Sequence, residues 1–577
     1  MLKELSWKVG GQQGEGIEST GELFSTALNR QGYFLNSFRH FSSRIKGGHT
    51  NNKIRVRTKP TFTISDETHI LVAFDQETIN LNHGELVSGG IVMADSKFNP
   101  EKPEGCHCEL YSVPFTEIAS DLGLALMKNM VAVGATAALM DLDISIFSDV
   151  VQEVYGRKGE AVVQKNVDAI KAGKEYMEKI VGNAPFKLEP TTKAERMYIA
   201  GNEAIGMGCI VGGARFMGGY PITPATEVME YLTKHLPKVG GTVIQTEDEI
   251  AAVMTTIGAN FAGVRSVTST SGPGLSLMAE AIGLAGISEV PLVIVDVQRG
   301  GPSTGLPSKT EQSDVMAAIH NAHGEIPKIV IAPSTVEEAF YDAAEAFNLA
   351  EEYQCPVILL IDMQMGAGKQ TIEKFDLDKV EIRRGALVSE PITTDDPSKY
   401  FKRYEVTESG VSPRTIPGML NGIHHVTGVE HDEMGKPAEA IGNRIAQMDK
   451  RLRKLDYVKF DQPIHIHAPH DEADVLFVGF NSSRGAIEDT IAKFAEEGIK
   501  ANHAHVRLIH PFPVKEMEPL MQSAKKVFVV ESNATGQLAS IMKLSLPQYA
   551  DKVQNILQYD GTPILFNGVY NKSKEMI

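Results

Sequence analysis

The segment Ser266-Val-Thr-Ser-Thr-Ser-Gly-Pro-Gly274 decides the fold of its part of the chain. Its valine and threonines favour a β-strand, and the glycines and proline that follow favour a tight turn into a helix. The same order of strand, turn and helix occurs at 216–227 and 242–252. Later apolar runs at 290–295 and 357–361 are nearly continuous, which is typical of a parallel sheet covered on both faces. We therefore predict one parallel sheet whose strand ends bring these loops together.

The composition of the chain excludes several classes of protein. It has 577 residues, 42% of them hydrophobic, with 56 Lys and Arg against 73 Asp and Glu and a formal net charge of −17. This acidic balance argues against a nucleic-acid backbone as the main partner, because such binding needs cations on some face. Apolar runs such as 290–295 are far shorter than the roughly 18 residues of a membrane span. The N-terminus lacks the apolar core of a signal peptide, so we expect a cytoplasmic chain without a membrane or nucleic-acid partner.

Changes in the hydrophobic and polar pattern along the chain predict its domain organisation. Residues 1–182 and 195–372 alternate strand-like and helix-like patterns, whereas 373–465 is polar and irregular. Residues 466–577 return to the alternating pattern. The sequence therefore predicts an α/β protein with three α/β domains and mostly parallel sheets, and an irregular linker region ahead of the last domain.

The cysteines predict neither a disulfide framework nor a metal site. The chain has four cysteines, of which Cys106 and Cys108 flank His107. A Cys-His-Cys metal site is one interpretation of that run, but it lacks a fourth ligand, which favours an ordinary loop. No Cys-x-x-Cys pair occurs, so we expect no iron–sulfur cluster held by this chain alone.

A glycine-rich segment near the N-terminus, Trp7-Lys-Val-Gly-Gly-Gln-Gln-Gly-Glu-Gly-Ile17, predicts a strand, a turn and a helix. Such a turn lets backbone N–H groups approach an anion at the start of the helix. A dinucleotide site would need an acidic residue at the end of the second strand, and Tyr33-Phe-Leu-Asn36 offers none. A purely structural turn and a solvated basic face remain the alternatives. The candidate residues for an anion are Gly11, Gly14, Gly16, Arg44 and Lys46.

Two loops of the middle region have both a structural and a functional interpretation. Tyr220-Pro-Ile-Thr-Pro224 predicts the start of a helix, with Thr223 as the N-cap and Pro224 as the first helical residue. Ile244-Gln-Thr-Glu-Asp-Glu249 predicts acidic residues that open a helix, where the helix dipole favours them.

The middle region also resembles a known family. The runs Glu249-Ile-Ala-Ala, Ser271-Gly-Pro-Gly and Val290-Pro-Leu-Val resemble the pyrimidine-binding domain of thiamine-diphosphate enzymes. Together with Tyr220-Pro-Ile-Thr-Pro224, they resemble the 2-oxoacid:ferredoxin oxidoreductase family in particular.

The resemblance extends over nearly the whole chain. The N-terminal glycine-rich segment is similar to the gamma domain of that family, here fused ahead of the alpha part. Glu531-Ser-Asn-Ala-Thr-Gly-Gln537 resembles the C-terminal domain of the alpha subunit. Gln298-Arg-Gly-Gly-Pro-Ser-Thr-Gly and Gly428-Val-Glu-His-Asp-Glu look most like the alpha subunit of two-subunit 2-oxoglutarate:ferredoxin oxidoreductases.

The resemblance implies a set of site residues. An ungapped register from Glu249 to Arg299 is similar to that of the pyruvate members of the family, whereas a register from Glu247 loses most matches. Glu249 would protonate N1′ of the aminopyrimidine, with Glu247 as the reserve, and Arg299 would bind the substrate carboxylate. The implied catalytic residues are Glu249, Thr223 and Arg299, and the implied cofactor-binding residues are Glu249, Tyr220, Pro221, Ile222, Thr223, Ser271 and Gly272.

The family implies a reaction and several partners. The reaction is oxidative decarboxylation of 2-oxoglutarate with coenzyme A, giving succinyl-CoA, CO₂ and reduced ferredoxin. A pyruvate or branched-chain 2-oxoacid enzyme of the same architecture is the close alternative. An enzyme of the acetolactate synthase type and a non-catalytic nucleotide-binding regulatory subunit are the distant ones.

Two absences indicate that this chain forms half of an active site. It contains neither the Gly-Asp-Gly of a diphosphate-binding domain nor a cysteine cluster. The resemblance therefore implies a beta subunit that shares the thiamine diphosphate and holds the Mg²⁺ and a [4Fe-4S] cluster. We expect a dimer of alpha–beta heterodimers, with ferredoxin as the electron acceptor and coenzyme A near the glycine-rich and basic segment of the first domain.

Overall fold

The parallel sheet predicted from residues 266–274 lies in the middle of the chain. The computed structural model describes residues 1–41, 48–123, 125–394 and 399–577. These residues divide into two compact units. The first unit comprises Met1–Ala200, Ala367–Lys374 and Leu565–Asn567, and the second comprises Gly201–Gly366, Phe375–Ile564 and Gly568–Ile577.

The strands and helices of the described residues are numbered here in chain order. The N-terminal strands are β1 (Glu4–Gln12), β2 (Phe34–His40), β3 (His49–Arg57), β4 (Thr68–Ala73), β5 (Leu86–Asp95) and β6 (Glu109–Val113), with helices α1 (Ile17–Arg30), α2 (Gln76–Asn82), α3 (Phe115–Asp121), α4 (Lys128–Met140), α5 (Ser145–Tyr155) and α6 (Glu160–Val181). The middle strands are β7 (Met197–Ala200), β8 (Phe216–Gly219), β9 (Thr242–Gln245), β10 (Ser266–Thr270), β11 (Leu292–Gln298), β12 (Ile329–Ile331), β13 (Pro356–Asp362) and β14 (Lys369–Ile372). The middle helices are α7 (Gly201–Val211), α8 (Thr226–His235), α9 (Glu249–Phe261), α10 (Gly272–Leu277), α11 (Ala279–Ile287), α12 (Val315–His320), α13 (Val336–Tyr353) and α14 (Met363–Ala367). The C-terminal strands are β15 (Ile464–His467), β16 (Ala473–Gly479), β17 (Ala501–Val506), β18 (Leu508–His510), β19 (Ala524–Glu531) and β20 (Val553–Leu557), with helices α15 (Ile441–Arg453), α16 (Ser483–Glu496), α17 (Val514–Ser523), α18 (Gln537–Ser545) and α19 (Phe566–Met576).

The first unit is built on an eight-stranded sheet in the order β6-β5-β4-β1-β3-β2-β14-β7. Strands β1, β4, β5 and β6 run parallel, and the pairs from β1 through β3 to β7 are antiparallel. Trp7 of β1 is fully buried, stacks on Phe24 of α1, and donates a hydrogen bond to Thr136 of α4 at 3.1 Å. This contact ties helices on one side of the sheet to its central strand.

The second sheet has the order β18-β12-β13-β11-β10-β8-β9 and forms the centre of the second unit. Its strands from β12 to β9 are all parallel, and only β18 joins antiparallel. All residues of β10, β11 and β13 are buried, as the continuous apolar runs predicted. The carboxyl ends of β8, β9, β10 and β11 therefore meet at one edge.

A third sheet, β15-β17-β16-β19-β20, completes the second unit. It is parallel except for β15. Its face shares one hydrophobic core with the second sheet, in which Leu476 and Val529 pack with Val330 and Ile358. The prediction of an α/β protein with mostly parallel sheets is confirmed.

Two short strands at the ends of the region predicted as the middle domain, 195–372, pair elsewhere. Strand β14 lies between β2 and β7 in the first sheet, and Lys369 is opposite Ser37 and Ala200. These pairings provide hydrogen-bond partners for the backbone of β2, which would otherwise be an edge strand. The sequence patterns of β7 and β14 do not predict this pairing.

The cysteines differ from the expectation of an ordinary loop. Cys106 and Cys108 form a disulfide that closes a three-residue loop ahead of β6, while Cys209 and Cys355 are free and buried. This is a local crosslink between near neighbours, with Cα atoms 5.5 Å apart, rather than a framework. Among the described residues, no helix is both long and apolar enough to cross a bilayer.

Candidate functional site

Four loops of the second unit converge at the carboxyl edge of the second sheet. Thr223 follows β8, Glu249 follows β9, Ser271 follows β10 and Arg299 follows β11. Because neighbouring strands β9, β8, β10 and β11 are parallel, these loops emerge at the same edge. A ligand-binding crevice in an α/β sheet forms at such an edge.

Glu249 is the first residue of α9 and is buried at this edge. Asp248 caps the helix, accepting a hydrogen bond from the Ala251 N–H at 2.7 Å, so the Glu249 carboxylate is not needed as the cap. The side chain of Glu249 is only 6% exposed, yet no described residue donates a hydrogen bond or forms an ion pair with it. A carboxylate at this edge, to which the chain itself provides no donor, is free to accept a hydrogen bond from a ligand. Glu247, two residues earlier, is exposed.

The glycine turn after β10 shapes the space around Glu249. A Cβ atom at Gly274 would lie 2.7 Å from Cγ of Glu249 and 2.0 Å from Oγ1 of Thr270. Any larger residue at this position would collide with both side chains. The hydroxyl of Ser271, at the start of the same turn, is buried and has no hydrogen-bond partner.

Arg299 is buried beside the same loops. Its guanidinium donates to the carbonyl oxygens of Thr223 at 2.5 Å and Thr304 at 3.2 Å, while Nε has no partner. Burial lowers the pKa of Arg299 from its ordinary value, and the carboxylates of Asp314 and Glu249 oppose that effect. The group therefore stays cationic, and a planar guanidinium with a spare N–H suits an incoming carboxylate.

Two aspartates near Arg299 belong to the same edge and were not found by the sequence analysis. A Cβ atom at Gly272 would lie 2.7 Å from Oδ1 of Asp314, which places that carboxylate against the glycine turn. Burial raises the pKa of Asp314 to about 6. Asp296, on β11, is fully buried with neither carboxylate oxygen hydrogen-bonded, and burial together with Asp314 raises its pKa well above the ordinary value.

The segment that carries Asp314 is fastened by the C-terminal part of the second unit. The Gln312 N–H donates to the carbonyl of Ser532 at 2.6 Å, and the Ser532 N–H donates to the Gln312 side chain at 2.9 Å. The amide of Gln537 bridges the Met316 N–H and the Ser313 carbonyl, both at 2.8 Å. We call residues 532–537 the clamp loop. It includes most of the Glu531–Gln537 motif quoted from the sequence.

The structure differs from the predicted role of Thr223 as a helix cap. Helix α8 begins at Thr226 with Ala225 in the N-cap position and no side-chain cap. The Thr226 N–H donates to the carbonyl of Ile222, so a turn precedes the helix and holds Thr223 at the edge of the sheet. In this turn Tyr220 and Pro221 are exposed, and Ile222 and Thr223 are half-buried.

An apolar surface lies next to Glu249. On α9 the residues Ile250, Met254 and Gly258 are exposed at a spacing of four, so they form one stripe along the helix. Ile250 is 47% exposed, and Leu277 at the end of α10 is 52% exposed. We call these four residues the α9 surface. Contiguous exposed apolar residues mark a site of association.

In the first unit, the glycine-rich turn between β1 and α1 holds one of its own carboxylates. Glu15 accepts the Gln12 N–H at 2.8 Å and pairs with Lys128 at 2.7 Å. Gly14 and Gly16 have φ of 100° and 80°, values that glycine adopts without strain. An external anion would therefore compete with Glu15 for this turn. Arg44 and Lys46 lie outside the described residues, so their part in an anion site stays a prediction.

Within the described ranges, no group of three or more His, Cys, Asp or Glu side chains is arranged to hold a metal ion.

Family models match three consecutive parts of the chain. Residues 6–176 match the model described as pyruvate ferredoxin/flavodoxin oxidoreductase. Residues 207–450 match the thiamine-diphosphate-binding model of pyruvate flavodoxin/ferredoxin oxidoreductases. Residues 473–567 match core domain II of pyruvate:ferredoxin oxidoreductase. All four strand-end loops described above fall within the second match.

Curated relatives and a solved structure are similar over nearly the full length. The chain is 32% identical to the 2-oxoacid:ferredoxin oxidoreductase subunit alpha of a Sulfolobus species, over 97% of this chain and 95% of that one. It is 30% identical to the 2-oxoglutarate oxidoreductase subunit KorA of Mycobacterium tuberculosis, over 98% and 90% of the two chains. A structure of the 2-oxoglutarate:ferredoxin oxidoreductase of Magnetococcus marinus, with 2-oxoglutarate, coenzyme A and succinyl-CoA bound, is similar with a TM-score of 0.92, 35% identity and full coverage of both chains.

Proposed function

The chain belongs to the 2-oxoacid:ferredoxin oxidoreductase family, and we propose that it is the alpha subunit of an enzyme that oxidatively decarboxylates 2-oxoglutarate. Coenzyme A and oxidised ferredoxin are the other substrates, and succinyl-CoA, CO₂ and reduced ferredoxin are the products. The observation that carries this proposal is the arrangement of Glu249 and Arg299 at one sheet edge. There, the side chain of Glu249, to which no described residue donates a hydrogen bond, lies within electrostatic range of a buried guanidinium whose Nε has no partner.

The residues at the sheet edge fit the aminopyrimidine of thiamine diphosphate. Glu249 offers a carboxylate to which no described residue donates, and the absence of a Cβ atom at Gly274 lets the Glu249 side chain take this position. Ser271 adds an unpartnered hydroxyl, and the turn at 220–223 adds an exposed aromatic ring. When bound, thiamine diphosphate supplies the nucleophile that attacks the keto carbon and accepts the electron pair that decarboxylation releases.

Glu249 and Arg299 have separate tasks in this proposal. Glu249 holds and shares the proton at N1′ of the aminopyrimidine, a proton-transfer role for which a buried, unpaired carboxylate is suited. Arg299 binds the carboxylate next to the keto group, while the Thr223 and Thr304 carbonyls fix the plane of its guanidinium. Thr223 therefore acts through its carbonyl oxygen, which orients Arg299.

The exposure of the α9 surface favours the proposal that a second chain completes the site. It exposes apolar side chains directly beside Glu249, and burying them favours association. The chain also lacks a Gly-Asp-Gly sequence and a cysteine cluster. We therefore propose a beta subunit that covers the α9 surface, binds the diphosphate with Mg²⁺ and holds a [4Fe-4S] cluster, in a dimer of alpha–beta heterodimers.

The choice of 2-oxoglutarate rests on the relatives. One curated relative is named a 2-oxoglutarate oxidoreductase subunit, and the similar solved structure has 2-oxoglutarate bound. The names of the matching family models refer to pyruvate, so a pyruvate or branched-chain 2-oxoacid is the competing substrate. We expect coenzyme A to use the first unit, with Gly11, Gly14, Gly16, Arg44 and Lys46 as the candidate contacts.

A substrate series tests the proposal. The chain is coexpressed with a beta subunit of this family from the same organism, purified as a complex, and assayed with 2-oxoglutarate, pyruvate and 2-oxoisovalerate. Dye reduction that depends on coenzyme A and thiamine diphosphate is measured for each acid. We expect kcat/KM for 2-oxoglutarate to exceed that for the other acids by at least about tenfold. A preference for pyruvate or 2-oxoisovalerate would overturn the substrate assignment, and no turnover with any acid would overturn the proposed function.

A further inference from the structure

We propose that Asp314 takes up a proton when the carboxylate of a 2-oxoacid binds to Arg299, and thereby adjusts the local charge to the bound substrate. This inference rests on the proposed function, because it requires a carboxylate ligand at Arg299. Asp314 is a positioning residue in this scheme, since it acts on the substrate through Arg299.

The position of Asp314 is fixed from three directions. Its carboxylate lies against Gly272, whose backbone N–H favours the ionised form. Its own N–H donates to the side chain of Gln298 at 3.0 Å. The clamp loop holds the residues on either side, through Gln312 and Met316. These contacts hold the main chain at Asp314 and on both sides of it.

Asp314 has one oxygen to which a proton can be added. Its Oδ2 is buried without a hydrogen-bond partner, and both oxygens of Asp296 are buried without one. A carboxylate that lacks donors and has another carboxyl group nearby holds a proton more readily than one in water. Asp296 lies deepest and is fully buried, so Asp296 is the neutral member of this pair and Asp314 is the member that titrates.

The groups around Asp314 have opposite effects on its protonation. Burial and Glu311 favour its protonated form, while Arg299 and the Gly272 N–H favour its ionised form. A substrate carboxylate on Arg299 would neutralise the only cation among these groups. The charged groups around Asp314 are Glu249 of α9, Asp296 and Arg299 near the end of β11, Glu311 of the same loop, Asp362 at the end of β13 and Glu531 at the end of β19. Helix α12 adds His320, and α18, which packs against α12, adds Lys543.

Two of these acids are held by donors and do not take part. Asp362 accepts hydrogen bonds from Ser482, Gln312 and the Met365 N–H. Glu531 accepts from Asn533 and from the Leu538 and Ala539 N–H groups. Burial raises the pKa of both groups while these donors favour their ionised forms, and we expect substrate binding to leave their protonation unchanged.

Proton uptake and affinity are linked. The pKa of free Asp314 is about 6, so it is only about one-tenth protonated at pH 7. A ligand that favours the protonated form must bind more tightly as the pH falls toward 6, and its Kd changes by at most about tenfold per pH unit. Below pH 6 the free protein is already protonated and the affinity levels off.

Calorimetry tests the proposal without turnover. N-oxalylglycine, in which an amide N–H replaces the methylene beside the keto carbon of 2-oxoglutarate, is titrated into the alpha–beta complex at pH 7. Titrations in two buffers of different ionisation enthalpy give the number of protons taken up. We expect between about 0.5 and 0.9 proton per site and a Kd that falls between pH 8 and pH 6, because Asp314 starts about one-tenth protonated.

Variants assign the proton to one side chain. Asp314→Asn should bind the analogue with uptake below about 0.1 proton and a Kd independent of pH, since the amide cannot titrate. Asp296→Asn, which replaces a neutral carboxyl with a neutral amide, should retain the uptake, whereas Glu311→Gln removes a charge that favours protonation of Asp314 and should move the uptake to lower pH. Circular dichroism checks that each variant is folded.

Three results would overturn the inference. Binding to the unsubstituted complex without proton uptake at any pH between 6 and 8 contradicts it, and needs no variant. Uptake that persists in Asp314→Asn, or disappears in Asp296→Asn, assigns the proton elsewhere. Absence of any binding to the unsubstituted complex would instead contradict the proposed function on which the inference rests.

Discussion

Replacing Glu249 with glutamine tests the role assigned to this side chain. The amide has the same shape as the carboxylate, so it fits beside Gly274. A Cβ atom at Gly274 would lie 2.7 Å from Cγ of Glu249, so this fit depends on the glycine. It cannot hold or share a proton at N1′ as a carboxylate does, and positioned acid–base groups commonly contribute about 10²–10⁴-fold to rate. We expect kcat of the alpha–beta complex to fall by that factor.

The fold should not suffer from this substitution. The Glu249 side chain is buried and no described residue donates to its carboxylate, so a neutral amide breaks no hydrogen bond. The melting temperature should therefore stay within about 2 °C of that of the unsubstituted complex. A large fall would indicate a structural role instead.

Two measurements test the effect of this substitution, one on the whole reaction and one on the formation of the carbanion. The first is steady-state dye reduction with 2-oxoglutarate, and the second is exchange of the C2 proton of bound thiamine diphosphate in D₂O, followed by NMR. Glu247→Gln is the matched control, because Glu247 is exposed and two residues away. It should keep near-normal rates in both assays. Normal turnover in Glu249→Gln, together with an inactive Glu247→Gln, would show that the register is displaced by two residues.

Three further substitutions test other parts of the molecule. Ile250→Glu puts a charge on the α9 surface and should raise the Kd for the beta subunit at least about 30-fold, while Leu544→Glu, 77% exposed on α18, should leave it unchanged in the same light-scattering or calorimetric assay. Gln537→Ala removes two hydrogen bonds of the clamp loop and should lower the melting temperature by about 2–6 °C. The control Gln548→Ala, which removes an exposed amide bonded to Glu518, should change the melting temperature by less than about 2 °C. Equal effects of the two substitutions would show that the clamp loop does not stabilise the fold more than a surface contact does. Lys46→Ala should raise KM for coenzyme A or the 2-oxoacid about tenfold or more without changing thiamine binding, and unchanged KM values for both would remove Lys46 from the site.

The sequence predicts the elements of the site that lie in single strand-to-helix junctions. The continuous apolar runs around β10, β11 and β13 require a covered parallel sheet, and that sheet alone brings Glu249, Ser271 and Arg299 to one edge. The choice between Glu247 and Glu249 came from a register over many positions. The burial of Glu249 and the exposure of Glu247 support that choice.

What the sequence does not predict depends on contacts between distant segments. Asp296 and Asp314 are ordinary acidic residues until the glycine turn and the clamp loop enclose them. Strands β7 and β14 complete the first sheet through pairings that leave no periodic trace. The turn before α8 replaces the expected Thr223 cap because the Ile222 carbonyl captures the Thr226 N–H. Each of these outcomes requires knowledge of which segments pack together.

The most direct test of the half-site is a comparison of the isolated chain with the reconstituted pair. Each is supplied with thiamine diphosphate, Mg²⁺, coenzyme A, 2-oxoglutarate and a dye acceptor, and CO₂ release and dye reduction are measured together. Our account predicts no activity from the isolated chain and full activity when the beta subunit is added, because Glu249 and Arg299 form only one side of the site. Turnover by the purified single chain would contradict it.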